Sequence, residues 1–135
     1  MNNTVATKGA EKLEHTMVDA VYNYIGHITD SYADWNLSHA SKDTKEFREK
    51  MIADWTASVY YKVGNKYIGI WTGNSIHSFI VNTTYDKKFD YGDVLKPATW
   101  KTPTRNFSRG NIFKNGSWAG IAWFAADRFD HLTRF

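Results

Sequence analysis

Ala57 to Val81 read ASVYYKVGNKYIGIWTGNSIHSFIV. Ala57, Val59, Tyr61 and Val63 alternate with Ser58, Tyr60 and Lys62, the period-two pattern that stands successive side chains on opposite faces of a strand. Gly64-Asn65 breaks the run, after which Tyr67, Gly69 and Trp71 alternate with Ile68 and Ile70. Gly73-Asn74-Ser75 makes a second break before Ile76 to Val81. Gly-Asn turns between β-rich runs mark tight hairpins, so the stretch predicts a three-stranded antiparallel meander. Its second and third strands are apolar on both parities around Ile68–Ile70 and Phe79–Val81. Both faces of the sheet are therefore expected to be covered, by helices on one side and another segment on the other.

Upstream, Leu13, Met17, Val21, Tyr24, Ile25 and Ile28 follow helical spacing, with Glu11, Glu14 and Asp19 elsewhere on the wheel. A polar loop is expected from Asp30 to Lys42. Asp43 then reads as an N-cap, with Glu46 completing a capping box, and Phe47, Met51 and Trp55 mark one face of a second helix.

Downstream, Thr83 to Tyr91 is a polar connection and Val94-Leu95 a short strand. Gly92 to Asn111, GDVLKPATWKTPTRNFSRGN, then holds both prolines of the chain, Pro97 and Pro103. Thr102-Pro103 reads as an N-cap followed by proline in the first helical position, and Gly110 as the residue after the helix. A short helix over 103–109 would put Arg105 and Arg109 on one side and turn Phe107 toward the core. Asn115-Gly116 is a turn and Trp118–Phe124 a last strand. The expectation is an α+β fold: two N-terminal helices on an antiparallel sheet of about four or five strands, with a Pro-flanked short helix. The chain, 1–135, reads as one domain, with helices within 1–55, a sheet over 56–124 holding an inserted basic segment 87–114, and a tail 125–135.

The net charge of +3 is unevenly spread. Residues 1–55 carry six basic and nine acidic side chains, whereas 87–114 carry seven basic against two acidic. A concentrated positive field steers anionic partners. The chain has no cysteine, which excludes disulfides and Cys-ligated metal sites. No apolar run approaches a membrane span and no apolar leader core opens the chain, so a soluble, cytoplasmic protein is expected, with no membrane partner. A short apolar meander also has edges to protect, which makes homo-oligomerisation an expectation.

The run Gly92 to Lys101, continued by Pro103, Arg105-Asn106-Phe107 and Arg109-Gly110-Asn111, resembles a motif of small uncharacterised proteins of tailed bacteriophages, approximately GDVLKPASWKAPAKNFARGN. Lys66-Tyr67-Ile68 and Ile76 to Val81 are similar to a K-Y-I-K-I…S-V-H-A-F-V stretch of the same proteins. The likeness spans roughly residues 57–113. Thr99, Thr102, Thr104 and Ser108 replace small residues, and Trp118 to Ile121 replace a W-T-G-P-like ending. The resemblance implies a phage-encoded protein in the host cytoplasm and implies no activity.

Lys96, Lys101, Arg105 and Arg109 form a candidate anion site, since guanidinium groups engage phosphate in pairs and Trp100 could stack on a base. The competing reading makes them solvated ends over a buried Trp100 and Phe107. Tyr60, Tyr67 and Trp71 read either as a stacking platform or as a cross-strand aromatic cluster. No phosphate-loop or dinucleotide glycine motif occurs, no cofactor is implied, and the five histidines lack metal-ligand spacing. His77 is a weak catalytic candidate whose plainer role is a packed, hydrogen-bonded residue. Ser75, Ser78 and Asp93 complete a triad with it only on paper. Three readings stay open. In the first, a phage accessory protein binds nucleic acid or a small nucleotide, for instance to counter host defence. In the second, a non-catalytic module engages a host or phage protein. The third, an enzyme using His77, is the least favoured.

Overall fold

The computed structural model describes residues 6–8, 15–114, 116–118 and 120–128. Leu13, Glu11, Glu14, Asn115 and the tail beyond 128 lie outside them. Strand β1 (Ala6–Lys8) is followed by helices α1 (His15–Ser38) and α2 (Lys45–Ala57). The meander follows as β2 (Val59–Val63), β3 (Tyr67–Thr72) and β4 (Ser75–Val81), then β5 (Val94–Leu95), β6 (Ile121–Ala122) and β7 (Ala125–Arg128). The main sheet runs β1-β2-β3-β4-β5, and β6 and β7 form a separate hairpin. The fold is α+β as expected, its sheet antiparallel from β2 to β5. No helix among the described residues is long and apolar enough to cross a membrane.

One strand falls within the region expected to be helical. β1 lies parallel beside β2, with Thr7 opposite Tyr61, and the two helices form the crossover that a parallel pair requires. β1 and β5 are short outer strands, so the exposed ladder that motivated self-association is small.

The expected loop at Asp30 is helix as far as Ser38. The apolar stripe of Met17, Val21, Tyr24, Ile25 and Ile28 continues through buried Tyr32 and Asn36. Tyr32 stacks on Trp55 of α2 at 4.5 Å and Arg48 donates to Asn36 Oδ1 at 2.7 Å, so tertiary contacts carry the helix through its polar half. The N-cap of α2 is Thr44, not Asp43. Its hydroxyl accepts from the Ser41 N–H, so the expected capping box does not form. α2 buries no residue completely, and Phe47 is exposed while Trp55 packs against the core.

The main core lies between α1 and one sheet face, where Val59, Tyr61, Ile68, Ile70, Ile80 and Val94 meet Met17, Val21, Tyr24, Ile25 and Ile28. On the other face Phe79, Val81 and Leu95 pack under Phe89 from the connection before β5. Both faces are thus covered, as the two-sided apolar strands require, but the second cover is partial.

No helix forms over 103–109. Residues 93–111 fold back as an irregular hairpin. Asp93 bridges Asn111, the Val94 carbonyl accepts from Arg109 N–H at 2.7 Å, the Lys96 carbonyl from Thr104 N–H at 2.7 Å, and Pro97 faces Pro103. Thr99 closes the tip, its hydroxyl accepting from the N–H groups of Lys101 and Thr102. Local cap signals lose to this ladder, which satisfies backbone groups a seven-residue helix would leave open. Gly110 has φ of 151° and passes under the next turn, where a Cβ would meet Ser117 O at 2.7 Å and Trp118 Cα at 2.9 Å. Gly110→Ala is expected to lower stability by about 2–3 kcal/mol, read as a lower urea midpoint at unchanged m-value.

Beyond the hairpin, the expected strand over Trp118–Phe124 shrinks to Ile121–Ala122. Its partner, β7, comes from residues expected to form the tail.

Candidate functional site: a basic aromatic cleft

The alternation of β2 and β3 sends Tyr60, Lys62, Tyr67, Gly69 and Trp71 to the face away from α1. Tyr60 lies opposite Trp71 and Lys62 opposite Gly69. The Tyr60 and Trp71 rings are near-parallel, 12° apart in plane with centroids at 6.3 Å. Trp71 folds back along its own strand, so a Cβ on Gly69 would sit 2.9 Å from its Nε1. Only glycine leaves room for an indole lying flat there. Lys62 fills the opposite position and holds its ammonium 4.5 Å from the Trp71 ring and 5.7 Å from Tyr60.

This uncovered half of the far face is a cleft of about 270 Å³. Its walls include Lys62, Lys66, Tyr67, Trp71, Phe79 and, from the hairpin tip, Lys101; among the described residues no carboxylate lines it. The Lys101 ammonium also lies 4.9 Å from the ring of Trp100, which is 63% exposed. Trp100 is therefore a surface ring next to Lys101, not an anchor in the core.

The two arginines do not share a face. Arg105 donates to both oxygens of Asp86 at 2.8 and 3.0 Å and to the Tyr67 hydroxyl at 2.6 Å, with its guanidinium 4.9 Å from the Phe89 ring. Lys88 adds a bond to the Arg105 carbonyl. This clasp closes the covered half of the face and forms one wall of the cleft through Tyr67. The Arg105 guanidinium, with the Lys88 and Phe89 N–H groups, holds the Asp86 carboxyl well below the usual carboxylate range, and Asp86 in turn raises Arg105. Arg109 is buried at 4% exposure and folds over its own loop. It donates to Asn106 Oδ1 at 2.7 Å and to the Phe107 carbonyl at 2.8 Å, and its guanidinium sits 3.9 Å from the Phe107 ring. Phe107 is half-exposed under that guanidinium and does not reach the core. Lys96 lies in the hairpin arm, its carbonyl taking the N–H and hydroxyl of Thr104. Of the expected site residues, the cleft gathers Lys101 alone, with Trp100 beside it on the hairpin tip. Lys62, absent from the expected set, was legible from strand parity, since it shares the parity of Tyr60; Lys66 lies in the β2–β3 turn, which parity does not place.

His77 is on the opposite face, buried against α1. The register gives Ile70 opposite Ser78 but Trp71 opposite Ile76, leaving His77 as the extra residue of a β-bulge. Both His77 and Ser78 therefore reach Tyr24. The Ala122 carbonyl, 2.8 Å from His77 Nε2, can only accept, so that nitrogen carries the proton. Nδ1 then accepts from the Ser78 hydroxyl at 3.0 Å, and Ser78 accepts from Tyr24 at 2.9 Å. Burial lowers the His77 pKa to about 4, outweighing the Ala122 hydrogen bond, and burial raises Tyr24 above the usual phenol range. The chain of bonds is closed. His77 meets a carbonyl where a triad needs a carboxylate, and Asp93 is bound to Asn111 and the Asp90 N–H. Ser75 is exposed at the β3–β4 turn. Among the described residues no group of three or more His, Asp or Glu side chains is placed to hold a metal.

Fold and site together define an α+β protein with a basic aromatic cleft on the open half of its sheet. No protein-family model matches the chain, and no curated protein or solved structure matches it.

Proposed function

We propose that the protein binds single-stranded nucleic acid in this cleft, with a base on the Trp71 indole and phosphates on Lys62, Lys66 and Lys101. The observation that carries the reading is one cleft lined by three lysines and the Trp71 indole, with no carboxylate among its described lining residues. Stacking on a flat ring combined with a cationic groove is how sequence-tolerant single-strand binders work. Size favours a strand over a free nucleotide. At about 270 Å³ the cleft falls just short of the roughly 300–1,000 Å³ in which small ligands are largely enclosed. A strand gains from several such contacts in series, and the exposed Trp100 ring, 4.9 Å from the Lys101 ammonium, offers a further stacking surface. The resemblance to tailed-phage proteins supports an accessory protein acting in the host cytoplasm.

The test is fluorescence anisotropy of a labelled twelve-nucleotide oligothymidylate. Trp71→Ala is expected to weaken binding about 5- to 150-fold, the range of one stacked base. If the oligonucleotide does not bind while a mononucleotide does, the ligand is a small nucleotide; binding unaffected by Trp71→Ala removes the cleft as the site.

A further inference from the structure

A second cleft, of about 230 Å³, opens where the end of α2, the β3–β4 turn and the β6–β7 turn meet. Trp55, Trp123 and Phe124 form its aromatic walls, and Thr72, Ser75 and His77 its polar ones. The Trp55 and Trp123 rings stand 85° apart at 6.0 Å, and Trp123 and Phe124 75° apart at 5.1 Å. Three aromatic rings set at steep angles to one another thus line one space, and Phe124 is 57% exposed.

We infer that this cleft is a binding site for a small organic cation carrying a methylated ammonium head. Such a head is apolar on its surface yet charged, so it gains from burial against rings and from their negative faces together, tryptophan most of all. Charge complementarity selects it over an anion. Among the described residues no Lys, Arg, Asp or Glu lines the space, and His77 already gives its Nε2 proton to Ala122. α1, α2 and the turn between them (residues 15–57) carry seven carboxylates against four cations, the reverse of the basic cleft. A methylated head also needs no hydrogen bond from the walls, so the rings alone suffice to hold it. The volume holds far more than one water, yet it is below that of pockets enclosing drug-sized ligands, which suits a compact head. This site is independent of nucleic-acid binding.

The experiment is a titration of the full chain with choline and, separately, with its uncharged isostere 3,3-dimethylbutan-1-ol, followed by NMR shifts of the aromatic side chains. Choline is expected to move the Trp55, Trp123 and Phe124 signals and to bind at least tenfold more tightly than the alcohol. Phe124→Leu keeps apolar bulk at an exposed position and is expected to weaken choline binding about 3- to 10-fold with the fold intact. Equal affinity for the alcohol would make the cleft merely apolar and overturn the inference. Shifts confined to other rings, or none with either ligand, would overturn it as well.

Discussion

Replacing His77 by alanine is expected to cost about 3–5 kcal/mol, a large fraction of what holds a domain of this size folded. The imidazole fills space against Tyr24 and joins three elements, Ser78 in β4, Tyr24 in α1 and Ala122 in β6. Alanine leaves a cavity, strands the Ala122 carbonyl and removes the acceptor for Ser78. The same burial makes stability depend on pH. The unfolded histidine takes up its proton near 6.5, the folded one only near 4. Between these values the unfolded state binds more protons, so the His77 contribution is complete above pH 6.5 and is lost as pH falls toward 4. In full the loss is roughly 3 kcal/mol. Urea denaturation at pH 7.5 and at pH 4.5 reads both effects. His77→Ala should be less stable at pH 7.5 and should lose less than the native chain on going to pH 4.5. An equal loss in both proteins would place the titrating group elsewhere.

The second large effect is on binding. The triple variant Lys62→Ala, Lys66→Ala, Lys101→Ala is expected to lose about 100-fold in oligonucleotide affinity at 0.1 M salt. Each phosphate contact to a single strand contributes about 0.7 to the salt slope, and three contacts give about two decades at that concentration. Lys66 and Lys101 are exposed and Lys62 is half-buried, so the fold should survive, which an unchanged urea midpoint within about 1 kcal/mol would verify. Lys→Arg at the same three positions keeps the charge and should restore most of the affinity. Arg105→Ala acts differently: it opens the clasp on Asp86 and Tyr67 and weakens binding through the cleft wall, without the loss of salt slope that a phosphate contact would give.

The meander was legible because Gly-Asn turns and strict alternation are local signals that the tertiary structure had no reason to override. Its two-sided burial was legible for the same reason. The hairpin of residues 93–111 was not. Thr102, Pro103 and Gly110 each carry a true helix-boundary signal, but the partners that defeat it, Val94 and Lys96, lie 8 to 16 residues away. The extension of α1 beyond Asp30 depends on Trp55 and Arg48 of another helix. The bulge at His77 hides it from parity: strict alternation would place it opposite to Ser78, on the Phe79 side. The site was half legible. Trp71, Tyr67 and Lys101 each stood out alone, while their convergence needed the hairpin to lay its tip beside β3. Arg105 and Arg109 drew attention by charge, and the folded chain uses both to hold its own loops.

If Lys62, Lys66 and Lys101 meet the phosphates of a strand stacked on Trp71, the affinity for oligothymidylate must fall with salt through those three side chains. Measured from 50 to 200 mM, the log–log slope is expected to be about −2, a fall of roughly 20-fold across that range, collapsing toward zero in the triple alanine variant. A slope near zero in the native protein, or the same slope with and without the three lysines, would contradict binding in this cleft.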